Sequence, residues 1–541
     1  MKVSGNIVDV LNSTIYPGTI LINDGRIVDI VRDSKRYNTF IVPGFIDAHV
    51  HIESSMLVPS EFARLAVVHG TIATVSDPHE IANIIGIDGV RFMVENGKTV
   101  PFNFFFGASP CVPATSFETS GASLDAPQID ALLKRDEIKY LSEMMNFPGV
   151  INENPDVMEK IAIANKHGKP IDGHAPGLRG EALQKYVRAG ISTDHETFQY
   201  DEGLEKLSLG MKLIIREGSA AKNFDALSPL ILKYPDQCML CSDDKHPDDL
   251  ISGHINELVK RALRVGIDVM TVLKCACVNP VTHYGLDTGL LRSGDYADFI
   301  EVDNLDHFDI LRTYINGEIV AEHGKTMLPH LPVPLLNKFS AIEKKVSDFI
   351  VSGKGNTINV IEVVNNQVIT GRASMNCRSS GNNVISDTEK DLLKLAVVNR
   401  YENLPPAIGF VKNFGLKRGA IASSVAHDSH NIVAVGVTDE DICNAVNLII
   451  QHKGGLSVVY DDIQEILPLP VAGLMSNEDG YSIAQHYAKL DHLAKQLGSF
   501  LSAPFMTLSF MALLVIPKLK LSDKGLFDGE QFQFIDLFAD T

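Results

Sequence analysis

His49 and His51 stand one residue apart in "VPGFIDAHVHIESS", Val42 to Ser55. Phe40 to Val42 reads as the end of a strand entering a Pro-Gly turn, and Phe45 to Ile52 as a second short strand. Residues i and i+2 of a strand share a face, so the two imidazoles are presented side by side. Alone, such a pair is more often a solvated strand face than a metal site, and other residues must decide. Glu143 in "KYLSEMMN", His174 in "DGHAPG", His195 in "STDHE", and Asp243 and Asp244 in "CSDDKH" are of the same chemical kind. Histidines and carboxylates meeting at one place would suit a pair of divalent cations. His79 and Glu80 of "DPHE" could move protons, or could serve as support beside a helix capped by Asp77. Arg179, Ser219 and His246 follow those strands and are expected to touch a substrate. His427 and His430 of "HDSH" are read as a structural or lid element in preference to a further metal site.

Each ligand-type residue closes a strand-like segment. Residues 43–279 alternate strands such as "TIATVSDPHE", "NFFFGASP", "IKYLSEM" and "KLIIREGS" with helices such as "NPDVMEKIAIANKHG" and "RGEALQKYVRAG". Such alternation predicts a parallel α/β fold, and eight strands predict a (β/α)8 barrel with its site at the C-terminal strand ends. Residues 1–42 contain a hairpin turn at Asn23-Asp24-Gly25, and Asp295 to Lys325 repeats that texture around Asn316-Gly317. The economical organisation is one composite β-sandwich-like domain from 1–42 plus 280–335. The barrel then spans 43–279, and a separate C-terminal α+β domain, expected to cover the barrel mouth, spans 336–541.

The 541 residues carry 48 Lys and Arg against 67 Asp and Glu, a net charge of -19. A nucleic-acid partner needs a basic patch, so none is expected. No run of about 18 apolar residues is seen, and no basic segment leads into an apolar one, so neither a membrane partner nor a secretory leader is expected. Seven scattered cysteines fit reduced thiols and a cytoplasmic location. The CxxC at Cys238–Cys241 sits in a strand-like run and reads as core. A cytidine-type zinc site would need H-x-E together with P-C-x-x-C, and Gln237 precedes Cys238.

"GFIDAHVH", the later single histidines, the strand-end aspartate and "GLLRSGDYADFI" together resemble the amidohydrolase superfamily. "DAHVHIESSM", "SDPHEIANI", "SEMMNFPGV", "DGHAPGLRG", "REGSAAKN", "CSDDKHPDDL", "VAHDSHNI" and "PFMTLSF" narrow the resemblance to the adenine deaminase family over nearly the whole chain. The resemblance implies hydrolysis of adenine to hypoxanthine and ammonia, as in purine salvage, by an amidohydrolase barrel with a binuclear Mn²⁺ or Fe²⁺ centre. His49 and His51 would hold the more buried metal and His174 and His195 the other. Asp243 would act both as ligand and as the base that orients a metal-bound hydroxide. The resemblance favours Glu143 as the bridging ligand, although Lys139 shares its strand face. Glu80 and His79 are the candidates for protonating the purine ring, and a homo-oligomer is expected. A cyclic amide hydrolase or an N-acetyl sugar deacetylase on the same barrel is the other enzymatic reading. A binding module without turnover is the non-enzymatic one.

Overall fold

In the computed structural model, which describes residues 1–539, eight parallel strands surround the candidate site. β1 (Phe45–Val50), β2 (Thr71–Ser76), β3 (Asn103–Ala108), β4 (Ile138–Met144) and β5 (Ile171–Gly173) form one arc. β6 (Thr193–Asp194), β7 (Lys212–Arg216) and β8 (Cys238–Cys241) form a second. Two seams join the arcs. The Ser192 N–H donates to the Ile171 carbonyl at 2.9 Å, and the Asp243 N–H donates to the His49 carbonyl at 2.9 Å. This closed, helix-wrapped sheet is the (β/α)8 architecture expected from the strand count. β1 and β2 are buried along their whole length, as strands covered on both faces must be. Gly44 allows β1 to start there, because a Cβ at that position would stand 2.4 Å from the Ile72 side chain. The helix Pro155–Lys166 begins where Asn154 accepts from the Asp156 and Val157 N–H groups and Pro155 supplies a pre-set φ.

Both outer β pieces pair in one sheet. Phe299–Val302 runs antiparallel to Phe40–Pro43, with Ile300 opposite Val42. Asp24–Gly25 and Asn316–Gly317 both have positive φ, as a two-residue hairpin loop requires.

Beyond residue 335 lies a second eight-stranded sheet, and residues of this region line the cavity at the C-terminal ends of the barrel strands. The sheet's period-2 alternation sorts residues by size. Ala396, Ala420, Ala422 and Ala434 pack with Ile442, Val446 and Ile449 of the helix Asp439–His452. Leu395, Val397, Ile421, Val433 and Val435 point the other way, into the hydrophobic cluster shared with the barrel. Small residues let the helix approach one face, and larger ones fill the space towards the barrel. Cys238 and Cys241 are buried free thiols of β8, a core role.

Candidate metal centre

β1 places His49 at its end and His51 just beyond, on the same face, with their Nε2 atoms 3.1 Å apart. The His51 Nδ1 lies 3.2 Å from the Asp77 carbonyl, so Nδ1 carries the hydrogen and Nε2 turns a lone pair inward. Glu143, at the end of β4, sits between the histidines. Its Oε1 is 3.3 Å from His51 Nε2, and its Oε2 is 2.6 Å from His174 Nδ1 and 3.2 Å from His195 Nε2. Asp243 Oδ1 lies 3.3 Å from His51 Nε2 and 3.7 Å from His49 Nε2. The His49 and His195 rings stack at 4.0 Å. All six side chains are buried. Asp243 takes a left-handed φ of 54°, which costs a non-glycine residue about 1 kcal/mol, and the His49 carbonyl holds it there.

Burial opposes ionisation of Asp243, but the Arg216 guanidinium and the nearby histidines outweigh it and hold the carboxyl well below its usual range. Glu143 is likewise disfavoured by burial and held ionised by His174 and His195. Two inward Nε2 atoms at 3.1 Å, facing two ionised carboxylates, form a donor set that wants a shared cation. Ligand atoms of His49, His195 and Asp243, and of Glu143, His174 and His195, each fall within 4.8 Å of one another. The residues therefore fit a divalent-metal site. Lys139 is half-buried near Lys169, away from these groups.

His79 and Glu80 open the helix that follows β2 and line the same cavity. Asp77 does not cap that helix. Its Oδ1 accepts from the Ser109 and Ser142 hydroxyls at 2.7 Å, and its Oδ2 faces His79 Nδ1 at 3.2 Å. Three substrate candidates are not brought to the cluster. Arg179 is half-exposed and paired with Glu205 at 2.8 Å. The Ser219 hydroxyl donates to Asp249 at 2.5 Å and accepts the His246 N–H at 2.9 Å. The His246 ring rests edge-on against Tyr487 at 4.4 Å. Each follows a site strand in sequence, but the Arg179 side chain turns outwards, that of Ser219 to Asp249, and that of His246 to Tyr487 on the helix Gly480–Gln496.

Other residues reach the site; of these, His427 reads from sequence as a structural or lid element, and the sequence does not single out the rest. Arg216, the last residue of β7, binds both oxygens of Glu196 at 2.5 and 2.8 Å and also contacts Asp243. A charged residue closing the apolar run "KLII" was the available signal. From the covering region, Val368, His427, Asp428, Phe510 and Leu513 line the cavity opposite the histidines, and Met145 completes its apolar wall. His427 and His430 both contact Glu80.

The Amidohydrolase family profile matches residues 40–320, and the Adenine deaminase C-terminal domain profile matches residues 367–533. The chain is 57% identical over 537 residues to an adenine deaminase of Sulfurovum sp., with 99% of each chain covered. It is 52% identical over 552 residues to an adenine deaminase of Methanosarcina mazei, with 100% of each covered. Among solved structures, a β-aspartyl dipeptidase from Fervidobacterium islandicum is 16% identical, with a TM-score of 0.47 over 60% of this chain and 98% of that one.

Proposed function

Because the chain belongs to the adenine deaminases within the amidohydrolase family, we propose that the cluster at its barrel mouth hydrolyses adenine to hypoxanthine and ammonia. The observation that carries this reading is the full-length match, barrel and C-terminal region together, to relatives named adenine deaminase. That match disfavours a cyclic amide hydrolase or a sugar deacetylase. His49 and His51 would hold one divalent cation and His174 and His195 the other, with Glu143 and Asp243 as the carboxylate ligands. When bound, the cations supply a water acidified enough to act as nucleophile near neutral pH. Manganese suits the hard carboxylate oxygens of Glu143 and Asp243, with iron as the second choice.

The chain's own groups do the rest. Asp243 takes the water's proton as C6 is attacked, then gives it to the departing amino group. Arg216 keeps Asp243 ionised and aimed. Met145, Val368, Phe510 and Leu513 offer the purine apolar surface. His79, Glu80, His427 and Asp428 make up the polar side of the cavity that would face the purine ring. A place in purine salvage follows from the reaction, and the free thiols support a reducing, cytoplasmic setting. Adenine turnover by the Mn²⁺-loaded protein, followed by ultraviolet absorbance and ammonia release, tests the reading. Asp243→Asn should lower kcat by about 10²–10⁴-fold. A folded, metal-loaded protein that leaves adenine untouched would sink the reading.

A further inference from the structure

Glu80 is clamped from outside the barrel. His427 Nδ1 lies 2.5 Å from Glu80 Oε1, and His430 Nε2 contacts Glu80 Oε2. His430 Nδ1 accepts the Ala426 N–H at 3.2 Å, so its hydrogen is on Nε2, the atom in contact with Glu80. An ionised carboxylate only accepts, so His427 Nδ1 must also donate to it. Burial opposes the charge on Glu80, but His427, His430 and His79 outweigh it and keep the carboxyl ionised. Glu80 then has no proton to give. His79 has carboxylate oxygens facing both ring nitrogens, those of Asp77 and Glu143 at 3.2 and 3.3 Å and those of Glu80 and Asp428 at 3.4 and 3.5 Å. It is spent on holding this cluster together.

His427 differs from His79 in how far its free ring nitrogen stands from the carboxylates, 3.9 Å against 3.4 and 3.5 Å. Its Nδ1 is fixed by Glu80, while its Nε2 is buried and, among the described residues, without a hydrogen-bond partner. Asp244 Oδ1 lies 3.9 Å from that atom, beyond bonding distance. The ring packs at 5.3 Å against Phe510, and both line the cavity that holds His51, Glu143 and Asp243. The groups that face His427 are Glu80, Asp244 and Asp428 on the acidic side and His246 and His430 on the basic side. Burial disfavours the imidazolium, yet Glu80, Asp244 and Asp428 raise its pKa to about 9.

We propose that His427, carried by the C-terminal region, delivers the proton to N1 of adenine, with Glu80 and His430 as its positioning residues. The proposal rests on the deaminase reading above. As oxygen bonds to C6, the C6–N1 π pair moves onto N1 and takes the Nε2 proton of His427. The neutral imidazole that remains keeps its Nδ1 hydrogen on Glu80. The C6–amino bond then breaks with its electron pair leaving on ammonia, which carries the proton held by Asp243. The hydroxyl proton released in that collapse restores His427 through solvent. The arrangement also gives the covering region a chemical task, because without it the barrel lacks its acid.

The test compares wild type with His427→Gln, His427→Ala and Glu80→Gln, each checked for bound metal and thermal midpoint. His427→Gln should lower kcat by about 10²–10⁴-fold with KM little changed. Wild-type kcat should fall above a pH of about 9 as the imidazolium deprotonates. That limb should vanish in His427→Gln and move to lower pH in Glu80→Gln, where the supporting carboxylate charge is lost. Added imidazole should restore turnover to His427→Ala. The proposal is overturned if His427→Gln keeps wild-type kcat. It is equally overturned if the rate falls while the alkaline limb persists and imidazole rescues nothing. Adenine turnover by wild type alongside such results would leave the deaminase reading standing, whereas no turnover by metal-loaded wild type would remove both.

Discussion

Arg216 shows how much one side chain can hold. Three of its hydrogen bonds go to two carboxylates, on Glu196 and Asp243, in a site where all three residues are buried. Removing one partner of such a group leaves charge without compensation and costs about 3–5 kcal/mol. Arg216→Met should therefore lose about that much unfolding free energy in denaturant titrations. Arg216→Lys should fold better but lose kcat, because an ammonium cannot grip Glu196 in two places while aiming Asp243. Pairing Arg216→Met with Glu196→Leu should recover part of the stability. Additive losses in that double-mutant cycle would show the pair to be uncoupled. The sequence exposes Asp243 readily, as an acid at a strand end, but conceals Arg216. What makes Arg216 important is where Glu196 and Asp243 lie around a closed barrel, and no local period encodes that. Arg179, Ser219 and His246 pose the complementary difficulty. Their chain positions beside the site are legible, while side-chain direction is set by partners such as Glu205, Asp249 and Tyr487.

At the scale of elements, strand ends are the readable part of the design. Alternation along β1 puts His49 and His51 on one face, and the closed ring of eight strands brings Glu143, His174 and His195 to them. The wall that closes the cavity is not readable in this way, because Val368 and Phe510 meet only through tertiary packing. Lys520 ties them together. Its buried ammonium donates to the Val368 and Phe510 carbonyls, each at 2.8 Å. Burial lowers its pKa to about 7, against about 10.4 in an unfolded chain. Between those values the unfolded chain binds the extra proton, so stability from this group rises with pH. Lys520→Met removes that dependence. Its stability relative to wild type should fall steadily from pH 7 to pH 10 in denaturant titrations. Two carbonyls left unsatisfied, at about 1–3 kcal/mol each, should also loosen the wall and raise KM for adenine more than they lower kcat. A relative stability flat across that pH range would mean that Lys520 is not buried as a near-neutral amine.

On the scale of the whole molecule, barrel and covering sheet share one hydrophobic cluster, running from Ile46 and Val75 through Val433 and Val435 to Phe505. Polar ties reinforce the junction. Arg64 bonds Asp479 at 2.6 Å, Glu61 accepts the Gly480 N–H at 2.8 Å, and Asp523 accepts the Thr119 N–H at 2.9 Å. Regions joined by a large apolar interface do not move independently by default. Exposing the sheet face of Leu395, Val397 and Val435 would leave buried surface to water on both sides. The site itself straddles the junction, since Glu80 comes from the barrel and His427 and His430 from the cover. Thermal unfolding should therefore appear as one calorimetric transition. Cations that bind only the folded state add stability of about 2.7 kcal/mol for each site at a hundredfold excess over Kd. Chelation should shift that single transition to lower temperature as a whole, because the barrel cannot loosen around its ligands while the cover stays folded on it. A chelated protein that splits into two separate transitions would instead mark the covering region as an independent unit, and would make its contribution of His427 to the site a matter of docking equilibrium.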